Sequence, residues 1–225
     1  VGLFTGEKTG ELMRILMATN YQPPHMGGIE YAAGSLKRCW EESGHRVTWI
    51  TTDIPRGGAP SAPDNIRVPA LNTFETLFQI NSPLIHPLYL REIENEVRKH
   101  DGINVHSLAP GLSSAVLRTA LKHRRPAVVT QHVGVIPLKI PLLNVVQEKA
   151  ICSAARNLVR KGGLLTFVGK AVREWFLAHA HLPENRVFMT PAGIDHHDYF
   201  FVNDGERGAF RKKWDLDRSP FNVLF

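Results

Sequence analysis

Apolar residues fall along this chain in two alternating rhythms. Short, mostly unbroken runs of aliphatic and β-branched residues occupy positions 14–19, 46–51, 65–68, 103–106, 127–131, 164–168 and 186–190. Several lack the polar alternation of a half-exposed strand, as expected of strands covered on both faces. Between most of them the apolar spacing lengthens to three and four. The clearest case follows Gly28, where Ile29, Ala32, Ala33, Leu36, Cys39 and Trp40 share one helical face that closes at Ser43 and Gly44. Further helices are predicted over 87–99, 112–122, 143–160, 170–180 and 206–214. Such alternation predicts an α/β fold built on a doubly wound parallel sheet.

The segment 72–87 breaks this rhythm. Phe74, Leu77, Phe78, Ile80, Leu84 and Ile85 crowd together beside Pro83 and Pro87. The favoured expectation is a loop or short helix tucked onto the core, and the alternative is an apolar lip that touches an acceptor lipid or a membrane. Residues 1–12 precede the first regular element and read as a leader or cloning remnant. Positions 220–225 read as the opening of a new buried strand. Together these predict one domain over 13–219 and the start of a second, C-terminal domain at 220–225.

Composition narrows the class. The chain has 225 residues, of which 43% are hydrophobic and 21% charged, enough for a substantial core. Its two cysteines, Cys39 and Cys152, sit in apolar helical patterns and are expected to be buried thiols in a reducing compartment. The longest apolar stretch, 133–146, is broken by Lys139 and two prolines, too short to span a bilayer. There is no signal-peptide pattern at the start. The expected location is cytoplasmic, with peripheral attachment to the inner face of a membrane as an option. Lys and Arg total 27 against 21 Asp and Glu, a net charge of +6. Basic residues cluster at Lys122/Arg124/Arg125, Arg156/Arg160/Lys161 and Arg211/Lys212/Lys213. They suit phosphorylated substrates or an anionic membrane surface as readily as solvated helix ends. Without a zinc knuckle, a ribonucleoprotein motif or an Arg-rich arm, no nucleic-acid partner is expected.

The chemistry begins in the run from Arg14 to Glu30. A buried strand leads into a Pro-punctuated loop, the pair Gly27 and Gly28, and a helix. Glycines at a helix start let backbone N–H groups approach a phosphate at the positive end of the helix dipole. The run is neither G-x-G-x-x-G nor a P-loop. His132 closes a predicted central strand, where open α/β sheets bind ligands. Glu30, in the first helical turn, and His106 and Ser107, at another strand end, fall at the same rim. Tyr21 and Lys139 are further rim positions. The pairs His179/His181 and His196/His197 have no third ligand nearby, so no metal site is expected. No G-x-S-x-G elbow occurs.

Four ordered segments carry a resemblance. Pro-Pro-His-Met-Gly-Gly-Ile-Glu (23–30) with Gly44-His45-Arg46-Val47-Thr48 comes first. Asp101-Gly-Ile-Asn-Val-His106-Ser107 resembles a D-x-x-H-x-H strand end. Pro126-Ala-Val-Val-Thr130-Gln131-His132 resembles a P-x-x-x-T-x-H strand end. Leu182-Pro183 through Val187, then Pro191-Ala-Gly193-Ile-Asp195 and Phe200, completes the set. Together they resemble the N-terminal domain of family 4 retaining glycosyltransferases, over residues 14 to 225. The resemblance implies a Rossmann-like sheet forming the N-terminal half of a GT-B fold. It implies transfer of a sugar from a nucleotide-diphosphate sugar to an acceptor hydroxyl, such as a lipid-linked or anionic glycan precursor. It casts Gly27 and Gly28 as donor-phosphate contacts, His132 as the catalytic residue touching the transferred sugar, and Glu30, His106 and Ser107 as acceptor contacts. No cofactor or metal is implied beyond the donor substrate.

The sequence departs from the family pattern at Asn104, which replaces the first His of the paired-histidine strand, and at Ala192 and Gly169. No two glutamates stand seven residues apart, as they do in the family's donor-binding half. The chain is therefore expected to act with a C-terminal domain of the same protein and to be inactive alone. Two rivals remain: a stand-alone module binding a phosphorylated glycan or lipid, and part of a GT-B nucleotide-sugar epimerase.

Overall fold

The computed structural model describes residues 12–25, 27–55, 63–78, 82–138, 141–193 and 203–216. Most of the expected leader, Lys139, Asp195, His196, His197, Phe200 and the strand expected at 220–225 lie outside the described residues. The chain divides into two compact units, Val1–Ala192 and Gly193–Phe225.

The first unit is built on a parallel sheet. Its strands are β1 (Arg14–Ala18), β2 (Arg46–Thr52), β3 (Asn65–Val68), β6 (Gly102–His106), β7 (Ala127–Gln131), β8 (Leu164–Phe167) and β9 (Val187–Met189), in the order β3-β2-β1-β6-β7-β8-β9. Every pairing among them is parallel. The unbroken apolar runs are explained by this arrangement, because both faces of the sheet carry buried residues. Ile103, Val105, Val129, Leu165 and Phe167 point into the main core. Ile15, Met17, Val47 and Trp49 point the other way and pack with Ala33 and Trp40.

Helices α1 (Gly28–Glu42), α3 (Leu90–Lys99), α4 (Leu112–Lys122), α5 (Pro141–Arg160) and α6 (Lys170–Ala180) flank the sheet at the predicted places. The helix predicted from 87 divides into a 3-10 turn, Pro87–Tyr89, and α3. One expectation is overturned: Cys39 is exposed, although Cys152 is buried. Helix α1 is centred on the Ala33–Trp40 line, and at 100° per residue Cys39 lies about 120° from Ala33.

The irregular stretch resolves into structure too short to show in a pattern. Strands β4 (Ala70–Leu71) and β5 (Leu84–Ile85) pair antiparallel and flank the helix α2 (Thr73–Phe78). Alternation along this ribbon turns Ile85 onto the core and leaves Leu71 58% and Leu84 46% exposed. The expected tucked-in helix is thus only half right, because Phe74 is also exposed. In the second unit, α7 (Asp204–Lys213) begins at a capping box in which Asn203 and Glu206 bond reciprocally.

Candidate active site

The strand order reverses around β1. From β1 the chain passes through α1 to β2 on one side, and β6 occupies the other. Loops leaving the carboxyl ends of β1 and β6 must therefore part, and a crevice opens between them. Two amides brace it. Asn20 donates through Nδ2 to the Pro110 carbonyl (3.0 Å) and accepts at Oδ1 from the Ser113 N–H (3.0 Å) at the start of α4. Gln131 accepts at Oε1 from the Leu108 N–H (2.8 Å) and donates through Nε2 to the Val133 carbonyl (2.6 Å). Asn20 and Gln131 were not singled out from the sequence. The available signal was position alone: polar residues at the carboxyl ends of otherwise apolar strands.

A cavity of about 160 Å³ sits in the crevice, lined among others by Asn20, Glu30, His106, Ser107 and Gln131. Three expected contacts, Glu30, His106 and Ser107, are thus brought together, and all three are buried. His132 does not line this cavity but stands beside it, its Nε2 3.0 Å from His106 Nδ1 and the two rings nearly coplanar, edge to edge, with centroids 5.2 Å apart. Burial depresses the basicity of both rings. His106 is held at about 3, first by desolvation and then by its neighbour His132, and His132 is lowered by desolvation. Both are neutral imidazoles at neutral pH.

Ser107 adopts φ +78, in the left-handed region that side chains other than glycine rarely enter. Its N–H bonds the Thr130 carbonyl (2.9 Å), and its Oγ accepts from the Ala109 N–H (3.1 Å). These bonds hold the turn that aims the β6–α4 loop across the crevice.

The two glycines play different parts. Gly27 is the N-cap of α1 and has no side chain to satisfy the helix N–H groups. The Glu30 carboxylate folds over it, so a Cβ at 27 would stand 2.1 Å from Glu30 Oε2. At Gly28 a Cβ would meet nothing within 4 Å among the described residues, which leaves the backbone open to a ligand. His25 lies 3.7 Å from Glu30 through Nδ1 and 3.2 Å from Glu75 through Nε2. Its ring stacks on Tyr21, whose hydroxyl reaches Asn72 Oδ1 (3.0 Å). Burial, reinforced by the charge on Glu75, raises the Tyr21 hydroxyl well above its ordinary range. Burial works to raise Glu75 as well, but hydrogen bonds from Asn72, His25 and Tyr21 outweigh it and hold the carboxyl low. This network joins residues about fifty positions apart, which no local pattern could announce.

Asp101, at the other end of the β6 motif, is far from this chemistry. It accepts the Arg14 guanidinium (2.8 Å) and the Arg14 N–H (2.8 Å) at the amino edge of the sheet. A wider groove of about 820 Å³ runs between α4 and α5, lined by Arg118, Arg156 and Arg160. It follows helix flanks rather than strand ends and is the lesser candidate. Among the described residues, no three His, Cys, Asp or Glu gather into a metal site, and no helix is long and apolar enough to cross a membrane.

Known proteins share the family and the fold. The glycosyltransferase family 4 profile matches residues 26–198. A glycosyltransferase from Rickettsia africae superposes with a TM-score of 0.62 at 16% identity, over 94% of this chain and 51% of that one. Anabaena HepE, solved with UDP and glucose, gives a TM-score of 0.61 at 15% identity, over 91% of this chain and 50% of that one. The chain thus spans about half the length of these structures. No curated protein matches the sequence. With the profile covering most of its length and the crevice at the strand ends, the chain belongs to glycosyltransferase family 4, with the Rossmann-like fold of one half of a GT-B enzyme.

Proposed function

We propose that this chain is the acceptor-side half of a retaining glycosyltransferase that moves a sugar from a nucleotide-diphosphate sugar to an acceptor hydroxyl. The observation that carries the reading is the convergence of Glu30, His106 and Ser107 on one cavity, with His132 alongside and the open backbone of Gly28 at the start of α1. A similarly folded protein, HepE, binds UDP and glucose. Gly28 and the first turn of α1 meet the donor diphosphate, where fixed N–H groups oppose the charge that grows as the glycosidic bond breaks. His132 hydrogen-bonds the transferred sugar. Glu30 and Ser107 hold the acceptor. The donor site is completed by a C-terminal domain, and no metal is used.

The test is sugar transfer by the protein carrying both halves, in the presence of EDTA. Retained anomeric configuration in the product is expected, and His132→Ala lowers kcat/KM roughly 100-fold, the usual cost of losing one positioned donor. An inverted product would overturn the retaining assignment. Brisk turnover by this chain alone would overturn the half-site assignment, and activity abolished by EDTA would overturn the metal-free one.

A second element of the reading is peripheral attachment to the inner face of an anionic membrane. It is favoured by Leu71, Leu84 and Leu88, which edge one apolar depression with Leu88 79% exposed. Co-sedimentation with phosphatidylglycerol vesicles at low salt, weakened by Leu88→Ser, is expected. No binding at low salt would remove it.

A further inference from the structure

Two histidines 26 residues apart in sequence share one hydrogen bond at the carboxyl edge of the sheet. The register of β6 on β7 pairs His106 with Thr130, which places His132 diagonally across on the same face. His106 is fixed there from several sides. Its carbonyl accepts the Ser113 hydroxyl (3.1 Å), and the next residue, Ser107, donates its N–H to Thr130. The His106 ring is buried, and its second nitrogen, Nε2, has no hydrogen-bond partner among the described residues.

That unpartnered atom decides who donates. Two neutral imidazoles joined Nδ1 to Nε2 can share only one proton between them. If His132 donated from Nε2, the His106 proton would sit on its own Nε2, a buried N–H with nothing to bind. If His106 donates from Nδ1, its Nε2 is a bare lone pair. Buried donors left unpaired are rarer in proteins than under-used acceptors. The second arrangement therefore wins. It also consumes the lone pair on His132 Nε2 and obliges His132 to carry its own proton on Nδ1.

We propose that His106 is a positioning residue that locks the tautomer of His132, so that His132 is left with a neutral Nδ1–H donor and no free proton acceptor. The inference rests on the reading of His132 as a site residue. It narrows what His132 does there: it holds an electron-rich oxygen of the bound sugar or phosphate by donating to it, and it cannot act as a general base through Nε2. A base for the acceptor hydroxyl must be sought elsewhere. It also reassigns His106, which the family resemblance casts as an acceptor contact, because His106 acts through His132 rather than on the acceptor.

The test is side-chain nitrogen NMR on the chain labelled with ¹⁵N-histidine at neutral pH, with no ligand. Two protonated Nδ1 atoms and two bare Nε2 atoms are expected for His106 and His132. A proton on His132 Nε2 would overturn the proposal. In His106→Phe, which keeps a ring and loses the donor, His132 is expected to become a mixture of tautomers. In His106→Asn, whose amide N–H takes the place of Nδ1–H, the single Nδ1–H form should return. An unchanged His132 tautomer in His106→Phe would show that the lock lies elsewhere. Should that variant fail to fold, the spectrum of the unaltered chain decides alone. The two readings fail separately. The expected spectrum together with a fully active His132→Ala enzyme would sink the site assignment and spare the tautomer. The wrong tautomer together with an inactive His132→Ala enzyme would sink only the lock.

Discussion

At the amino edge of the sheet, Arg14 and Asp101 face each other in the open. Each satisfies the other, with four bonds from side chain and main chain where β1 and β6 begin. At the carboxyl edge of the same two strands, Asn20, His106 and Ser107 are drawn into the protein. There a serine holds a left-handed backbone, a buried histidine leaves one nitrogen unpaired among the described residues, and a carboxylate folds over a bare helix start. The first edge fastens two strands and ends there. The second keeps buried polar groups under strain, a cost to stability that packing elsewhere must offset. Substitutions at the carboxyl edge should therefore disturb both folding and function, and those at the amino edge should do little.

The largest effect is expected at Gly111. Its φ of +116 and ψ of −150 belong to a region essentially reserved for glycine. A Cβ there would also come within 2.9 Å of Asn20 Oδ1 and 3.0 Å of Pro83 Cδ. Gly111→Ala should lose roughly 3 kcal/mol in urea unfolding, as strain and displaced contacts add. Because Asn20 has to move, the loops it braces should lose protection from hydrogen exchange first. A loss below about 1 kcal/mol would mean that the β6–α4 turn is not rigidly held against Asn20.

The histidine pair gives the next effect, visible in acid. Folded His106 takes a proton only near pH 3, whereas an unfolded histidine does so near 6.5. Between these values the unfolded chain binds more protons, so stability is whole above about 6.5 and drains away as pH falls toward 3. His132, lowered in the same direction, adds to the slope. His106→Asn should flatten the dependence of unfolding free energy on pH across this window. An equally steep slope in that variant would place its source in other groups.

Ser107 separates strain from bonding. Ser107→Ala keeps the strained φ and leaves the Ala109 N–H without its acceptor, a loss of about 1 kcal/mol. Ser107→Gly gives up the same bond but relieves the left-handed backbone, so it should stand within about 0.5 kcal/mol of the unaltered chain. If glycine proves worse than alanine, the backbone there is not strained.

The two edges also differ in how far the sequence announces them. β1, β6 and β7 were visible because strands buried on both faces must be apolar throughout, and α1 was visible because Ala33, Leu36 and Trp40 recur at helical spacing. β4 and β5 were not, since two-residue strands carry no period. Cys39 misled because an apolar residue at the margin of a stripe looks like a member of it. Within the site, Gly27, Gly28, Glu30, His106, Ser107 and His132 could be named from strand ends and family motifs. Their pairing could not. Whether His106 meets His132, or Tyr21 and Glu75 share a network, depends on register and on loop packing between distant segments. Asp101 shows the converse hazard: it belongs to the same motif as His106, yet the length of β6 carries it to the opposite edge.

The smallest effect is expected at that opposite edge. Arg14→Ala removes the guanidinium but not the Arg14 main-chain N–H, which continues to hold Asp101. The Arg14 side-chain hydrogen bond is the chief reason the Asp101 carboxyl sits at about 2 rather than 3.8, so its loss lets the carboxyl rise. A lowered folded value means that the stabilisation is complete above about 3.8 and fades as pH falls through about 2. The variant should accordingly be slightly less stable than the unaltered chain at neutral pH and indistinguishable from it in strong acid. Because the pair is exposed, added salt should shrink even the neutral-pH difference. Sugar transfer by the complete enzyme should not change. A clear loss of transfer in Arg14→Ala, with folding intact, would break the contrast between the two edges and show that the strand order does more than fasten β1 to β6.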